Sequence, residues 1–141
     1  MLTIDFHMTI YNIIFVYYKM SRLIYKVSNN KIKLSLILKN RNIGYANSVI
    51  CWNTLFIDNV FVDEDFRYKN YGTYLMNSTE IICKQYHNVD IMKLVIKHYN
   101  YDDDYLKFFF KKIGYNEYDI AYTNYPINSN YTYIPMFKNI C

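Results

Sequence analysis

The 141 residues include only three glycines, two prolines, three cysteines and one tryptophan. There is no linker, internal repeat or low-complexity tract, so a single domain is expected over residues 1–141. Cys51, Cys83 and Cys141 are odd in number and have no paired spacing. That excludes a disulfide framework and a zinc site, and points to reduced thiols in the cytoplasm, with the nucleus as the alternative. No run of basic residues occurs and the net charge is +4, too scattered for a nucleic-acid surface. A mild positive balance does suit an anionic cofactor. No apolar run is long enough to cross a membrane: Ile13-Ile14-Phe15-Val16-Tyr17-Tyr18 is too short, and Asp5 and His7 stand where a signal peptide carries positive charge. Neither nucleic acid nor membrane is expected as a partner.

What is present is apolar and aromatic. A hydrophobic share of 52% excludes a disordered chain, and the length suffices for a sizeable core. The eighteen tyrosines and nine phenylalanines, with abundant Asn, Ile and Lys, reflect AT-rich coding as much as function, so no single Tyr or Asn counts as a signal.

Leu2 to Phe6 reads as a short strand. Tyr11 to Val27 is compatible with either period, and the spacing of Ile14, Tyr17, Tyr18, Arg22 and Tyr25 favours a broken helix. Lys31 to Leu38 alternates cleanly and is a half-buried strand. Tight turns then lead to Ile43–Trp52 and Leu55–Val62, giving an antiparallel meander. A helix follows, with Tyr71, Leu75, Ile82 and Tyr86 on one face. Ile91 to Lys97 is a strand. Asp102-Asp103-Asp104 opens a second helix whose apolar face holds Tyr105, Leu106, Phe109, Phe110 and Ile113, stopped at Gly114. Strands near Asn116–Thr123 and Tyr131–Lys138 complete an α/β to α+β chain built on a mixed sheet.

The stretch from Val60 to Leu75 organises the rest. A strand runs through an acidic turn, Asp63 to Asp65, into a basic loop, Arg67-Tyr68-Lys69-Asn70-Tyr71-Gly72-Thr73, and then a helix. The first N–H groups of a helix lack internal partners and its dipole favours negative charge there. Gly72 permits close approach of a ligand, Asn70 tolerates a left-handed backbone, and Arg67 and Lys69 add two cations. The loop is suited to a pyrophosphate.

Together with Phe109-Phe110-Lys111-Lys112-Ile113-Gly114-Tyr115, this stretch resembles the GCN5-related N-acetyltransferase (GNAT) superfamily. Its cofactor loop reads Arg/Gln-x-x-Gly-x-Gly/Ala, and its later helix ends Phe-Tyr-x-Lys-x-Gly-Phe. The resemblance covers roughly residues 31–138. It implies a mixed, mostly antiparallel sheet of six to seven strands flanked by helices. Acetyl-CoA would lie in the splay between the strand ending at Val62 and the strand ending near Lys97, and no metal is implied. Val60, Phe61 and Val62 would pair with the pantetheine arm, Arg67 to Thr73 would hold the pyrophosphate, and Asp103 and Phe110 would contribute from the later helix.

Within the superfamily the likeness is to protein N-terminal acetyltransferases of the NatE catalytic-subunit type. It implies a peptide or protein N-terminus as acceptor, an auxiliary subunit as a candidate partner, and Phe15, Tyr17 and Tyr125 as acceptor contacts. The part before about residue 30 is shorter than, or atypical of, that type. Acetyl transfer needs a base for the amine and a polarised thioester carbonyl. The resemblance offers His98, whose ordinary pKa near 6.5 suits a base, and the strand residue Asp58 as its rival. Four positions depart from the pattern: Phe56 and Phe110 stand where tyrosines serve, Asp103 where an asparagine does, and Asn70 where the loop has its first glycine. They leave open a small-molecule amine such as glucosamine 6-phosphate as acceptor, for which Arg22 and Lys26 are the only basic residues in view, or a non-catalytic binding role.

Overall fold

The computed structural model describes residues 4–6, 21–99, 105–118 and 131–141. The strands are β1 (Ile4–Phe6), β2 (Ser21–Ser28), β3 (Lys31–Leu38), β4 (Arg41–Cys51), β5 (Thr54–Val62), β6 (Ile91–Tyr99), β7 (Asn116–Glu117) and β8 (Tyr131–Asn139). They form one sheet in the order β1-β2-β3-β4-β5-β6-β8-β7. Every neighbouring pair is antiparallel except β5 and β6. The six to seven expected strands become eight among the described residues because Ser21–Ser28, expected as helix, is a further strand, β2. Among the described residues the helices are α1 (Tyr71–His87) and α2 (Tyr105–Lys112), and a short 3-10 turn spans Glu64–Phe66.

One expectation is overturned. Residues 21–27, assigned to a broken helix, are strand β2, paired with β3 from Ser21↔Leu38 to Ser28↔Lys31. The helical spacing of Arg22 and Tyr25 was accidental. The burial of Leu23 and Tyr25, alternating with exposed Arg22 and Lys26, has period two. The turns β2–β3, β3–β4 and β4–β5 are two-residue hairpin loops. Lys39 and Asn40 both take positive φ (47° and 62°), as the type I′ turn that matches strand twist requires.

The core lies on one face of the sheet. Leu23, Leu34, Leu36, Ala46, Leu55, Ile57, Met92 and Leu94 are buried there. They pack against Tyr71, Leu75, Met76, Ile82 and Cys83 of α1 and against Phe110 and Tyr115 from α2 and the turn after it. Tyr86, expected on the inner face of α1, is 53% exposed; the inner stripe runs through Ser78, Thr79 and Cys83 instead. Gly114 stops α2 with φ +99°, a conformation that favours glycine.

Candidate active site

The site begins with one extra residue. In the β4–β5 ladder Asn47 faces Asn59 and Ser48 faces Ile57, which leaves Asp58 without an opposite number. This β-bulge resets the alternation of β5: Leu55 and Ile57 are buried before it, while Val60 and Val62 turn inward after it. A bulge bends its strand and sharpens the local twist. The parallel pairing of β5 with β6 runs from Thr54↔Ile91 to Ile57↔Leu94 and stops there. Beyond that point β5 stays with β4 as far as Gly44↔Val62, and β6 stays with β8 as far as Tyr99↔Tyr131. The two strands part company at Asp58.

The gap between them is a cleft of about 740 Å³, within the usual range for ligand sites. One wall is β5 from Ile57 to Val62, and the other is β6 from Leu94 to Lys97. The Phe108, Phe109 and Phe110 side of α2 closes it, together with Tyr105 and Leu106, each 48% exposed. The apolar face of α2 therefore serves the cleft at its start and the core at Phe110. The β5 edge beyond Ile57 has no ladder partner on the β6 side among the described residues. It offers backbone groups to an extended, amide-bearing chain.

The loop stands at the mouth of this cleft. Asp63 fixes its entry by accepting from the Asp65 N–H at 3.2 Å and by pairing with Arg41 at 2.5 Å. The Arg67 guanidinium folds back, its Nε donating to the Val62 carbonyl at 3.0 Å. Lys69 donates to the Asp65 carbonyl at 3.0 Å and lies 5.7 Å from the Phe66 ring. Asn70 starts α1 in the left-handed conformation, φ 63°, and its side chain makes no capping bond to the helix. Gly72 faces the cleft; a Cβ there would sit 3.3 Å from Phe109 Cζ, so any side chain would crowd the ring that walls the site.

Of the residues expected to hold a cofactor, Val60, Phe61, Val62, Arg67, Tyr68, Asn70, Gly72, Thr73 and Phe110 line the cleft. Lys69 and Tyr71 do not: Lys69 turns onto Phe66, and Tyr71 is 5% exposed in the core, edge-on to Phe66. Asp58 lines the cleft at its vertex with an exposed side chain. Phe56, paired with Lys93 below the vertex, is outside it. His98 stands in β6 opposite Thr132; its side chain, and all of Phe15, Tyr17, Asp103 and Tyr125, lie outside the described residues. Sequence reasoning missed the bulge, although the shift of apolar residues from Leu55 and Ile57 to Val60 and Val62 carries its signature. Tyr68 was expected at the cofactor loop, but not its ring contact: with φ 61° it meets Tyr105 edge-on at 5.4 Å over the cleft mouth.

The model of the acetyltransferase (GNAT) family matches residues 10–115. The chain belongs to this family. No curated protein matches the acetyltransferase in sequence. Solved structures share its fold. The ribosomal-protein-S18-alanine N-acetyltransferase of Escherichia coli superposes with a TM-score of 0.67 at 17% identity, over 81% of this chain and 72% of that one. A Bacillus anthracis protein in complex with acetyl coenzyme A gives 0.68 at 20%, over 82% of this chain and 65% of that one. An aminoglycoside 6′-N-acetyltransferase complexed with coenzyme A gives 0.66 at 15%, over 81% and 75%.

Family membership makes acetyl-CoA the donor, and the acetyltransferase has residues that fit it. The free β5 edge matches the amides of pantetheine, the uncapped start of α1 matches the pyrophosphate, and Gly72 keeps the passage open. Among the described residues no group of His, Cys, Asp and Glu is placed to hold a metal ion, and no helix is long and apolar enough to cross a membrane.

Proposed function

We propose that this acetyltransferase modifies the α-amine at the N-terminus of a peptide or protein. The observation that carries the reading is the coincidence of three things at one residue: the end of the β5–β6 pairing, the bulge, and the exposed carboxylate of Asp58. From Val62 back to Asp58 the free edge spans five residues, four steps or about 13 Å of strand, between the loop and the vertex. Val60, Phe61 and Val62 hold the donor's arm along this edge, and Arg67, Tyr68, Asn70, Gly72 and Thr73 receive its phosphates. Acetyl-CoA would supply a thioester whose acyl carbon bonds to the amine nitrogen as its carbon–sulfur bond breaks and coenzyme A leaves as the thiolate.

At the vertex Asp58 takes the proton from the incoming amine, and backbone N–H groups beside the bulge polarise the acyl oxygen. His98, four residues beyond Leu94, where the pairing of β6 with β5 ends, is the rival base. Phe110 walls the cleft and has no proton to give, so this chain has no tyrosine acid at that position. Support for a polypeptide acceptor comes from the fold shared with an enzyme that acts on a ribosomal-protein alanine and from the likeness to N-terminal acetyltransferases. An auxiliary subunit is the partner such enzymes suggest.

The test is a thermal shift with acetyl-CoA, with CoA and ATP as controls, then thiol release with a panel of N-terminal peptides that includes Met-Leu starts. A ligand at about 100 times its Kd adds about 2.7 kcal/mol of stability. Stabilisation with peptide-dependent release establishes the reading. Stabilisation with release only on a small amine replaces the acceptor, and no stabilisation removes the site.

A further inference from the structure

The donor and the acceptor must meet in a gap between two strands, and α1 and α2 occupy one side of it. The loop that faces the phosphates belongs to α1, so the amine arrives from the sheet face opposite that helix. The composition of this face is therefore a statement about the acceptor. Side chains alternate along each strand. The positions out of phase with the buried set on β2, β3 and β6 include Arg22, Lys26, Lys31, Lys33, Lys93 and Lys97. Strands β2 to β6 contain one carboxylate in all, Asp58.

Two further observations show that this is not ordinary surface charge. Lys26 and Lys33 stand directly opposite each other across the β2–β3 ladder, a like-charge pair that costs stability. Neither they nor Lys31 and Lys93 make an ion pair among the described residues; Lys33 instead lies 5.2 Å over the Tyr45 ring and Lys93 lies 5.7 Å from the Tyr118 ring. Tyr45 in turn stacks on Phe61, ring centroids 5.5 Å apart at 27°, and Phe61 is 42% exposed beside the cleft. The register links these groups to the vertex: Lys33 faces Asn47, and Asn47 faces Asn59, next to the bulge. Two strand spacings put Lys33 about 10 Å from Asn59.

We propose that the acceptor is an acidic polypeptide N-terminus, laid across this basic and aromatic sheet face with its amine at Asp58. The inference rests on the acetyltransferase reading above and specifies its substrate class. An extended peptide advances about 3.3 Å per residue, so the second to fourth residues lie within reach of Lys33 and Lys26. A single phosphate on a small sugar is a poorer match. The cations run from β2 to β6, about 19 Å across four strand spacings, and do not converge on one point. A polyamine or an aminoglycoside would meet like charge.

The test compares thiol release from three peptides that share a first residue and carry acidic, uncharged or basic side chains at positions two to four. Glucosamine 6-phosphate and spermine serve as small-molecule arms. The acidic peptide should exceed the basic one by about tenfold in kcat/KM at about 50 mM salt, and the gap should shrink several-fold at about 500 mM as screening shortens. The K26E/K33E double variant should invert the ranking, a result that loss of folding does not produce. A flat ranking, a preference for basic peptides or spermine, or a ranking untouched by K26E/K33E overturns the inference and leaves the peptide acetyltransferase standing. Faster release with glucosamine 6-phosphate than with any peptide overturns both, as does silence with every peptide.

Discussion

The two faces of one sheet obey different rules. On the face under α1, Leu34, Leu36, Leu55 and Met92 are at most 1% exposed, and apolar residues follow one another across the strands. On the opposite face the same strands carry lysines, asparagines and half-exposed aromatics, with Phe56 and Phe61 each 42% exposed. Burial per residue decides how much each face contributes to stability, because hydrophobic free energy scales with apolar area removed from water. The first face holds the domain together. The second is left free to be selected for what it meets.

The contrast is sharpest in a pair of truncations. Leu34→Ala, in the covered face, should cost about 2–5 kcal/mol through lost transfer energy and a residual cavity, whereas Phe56→Ala should cost well under half of that. Denaturant midpoints measure both, and equal losses would erase the distinction between the faces. Next comes the seam where the faces meet. Asp58→Asn should lower kcat about a hundredfold, equivalent to about 2.7 kcal/mol of barrier, with acetyl-CoA affinity retained. Unchanged turnover in Asp58→Asn, with an equally large loss in His98→Ala, would move the base to β6.

Gly44→Ala tests the close packing beside the seam. Its Cβ would lie 2.8 Å from the Phe61 carbonyl oxygen, a backbone atom that cannot step aside. The expected loss is about 1–3 kcal/mol, together with weaker donor binding as β5 shifts; an unaltered melting temperature would refute the tight register. The smallest effect is a pH dependence on the covered side. The Tyr25 hydroxyl is hydrogen-bonded to His87 Nε2, and burial pushes the tyrosine up to about 12 and the histidine below its ordinary value. A histidine held neutral by the fold contributes stability that is complete above the unfolded pKa, near 6.5, and is lost as pH falls towards the folded value. The melting temperature should therefore decline below pH 6.5, and His87→Asn should flatten that decline.

Much of this was legible beforehand. The alternation of Ile32, Leu34 and Leu36, the helix from Tyr71, the stop at Gly114 and the polar loop ahead of α1 are local patterns, and each survives in the structure. What escaped notice depends on neighbours. Residues 21–27 satisfied two periods at once, and only pairing with β3 chose between them. The bulge is a single unmatched residue whose meaning appears when β4 and β6 lie on either side of it. Lys26 and Lys33 are unremarkable apart in the chain and become a pair only through the hairpin at Asn29-Asn30. Contacts within one element can be read from order alone, while contacts between strands require the register.

Asp58 has one more consequence. A hydrogen-bond ladder behaves like a zipper, and nothing in two compatible edges tells it where to halt. Here the halt falls at one surplus amino acid, Asp58, which β4 leaves unmatched where the pairing with β6 ends. The capacity to hold a substrate is thus encoded as an insertion of length one, a counting error kept on purpose.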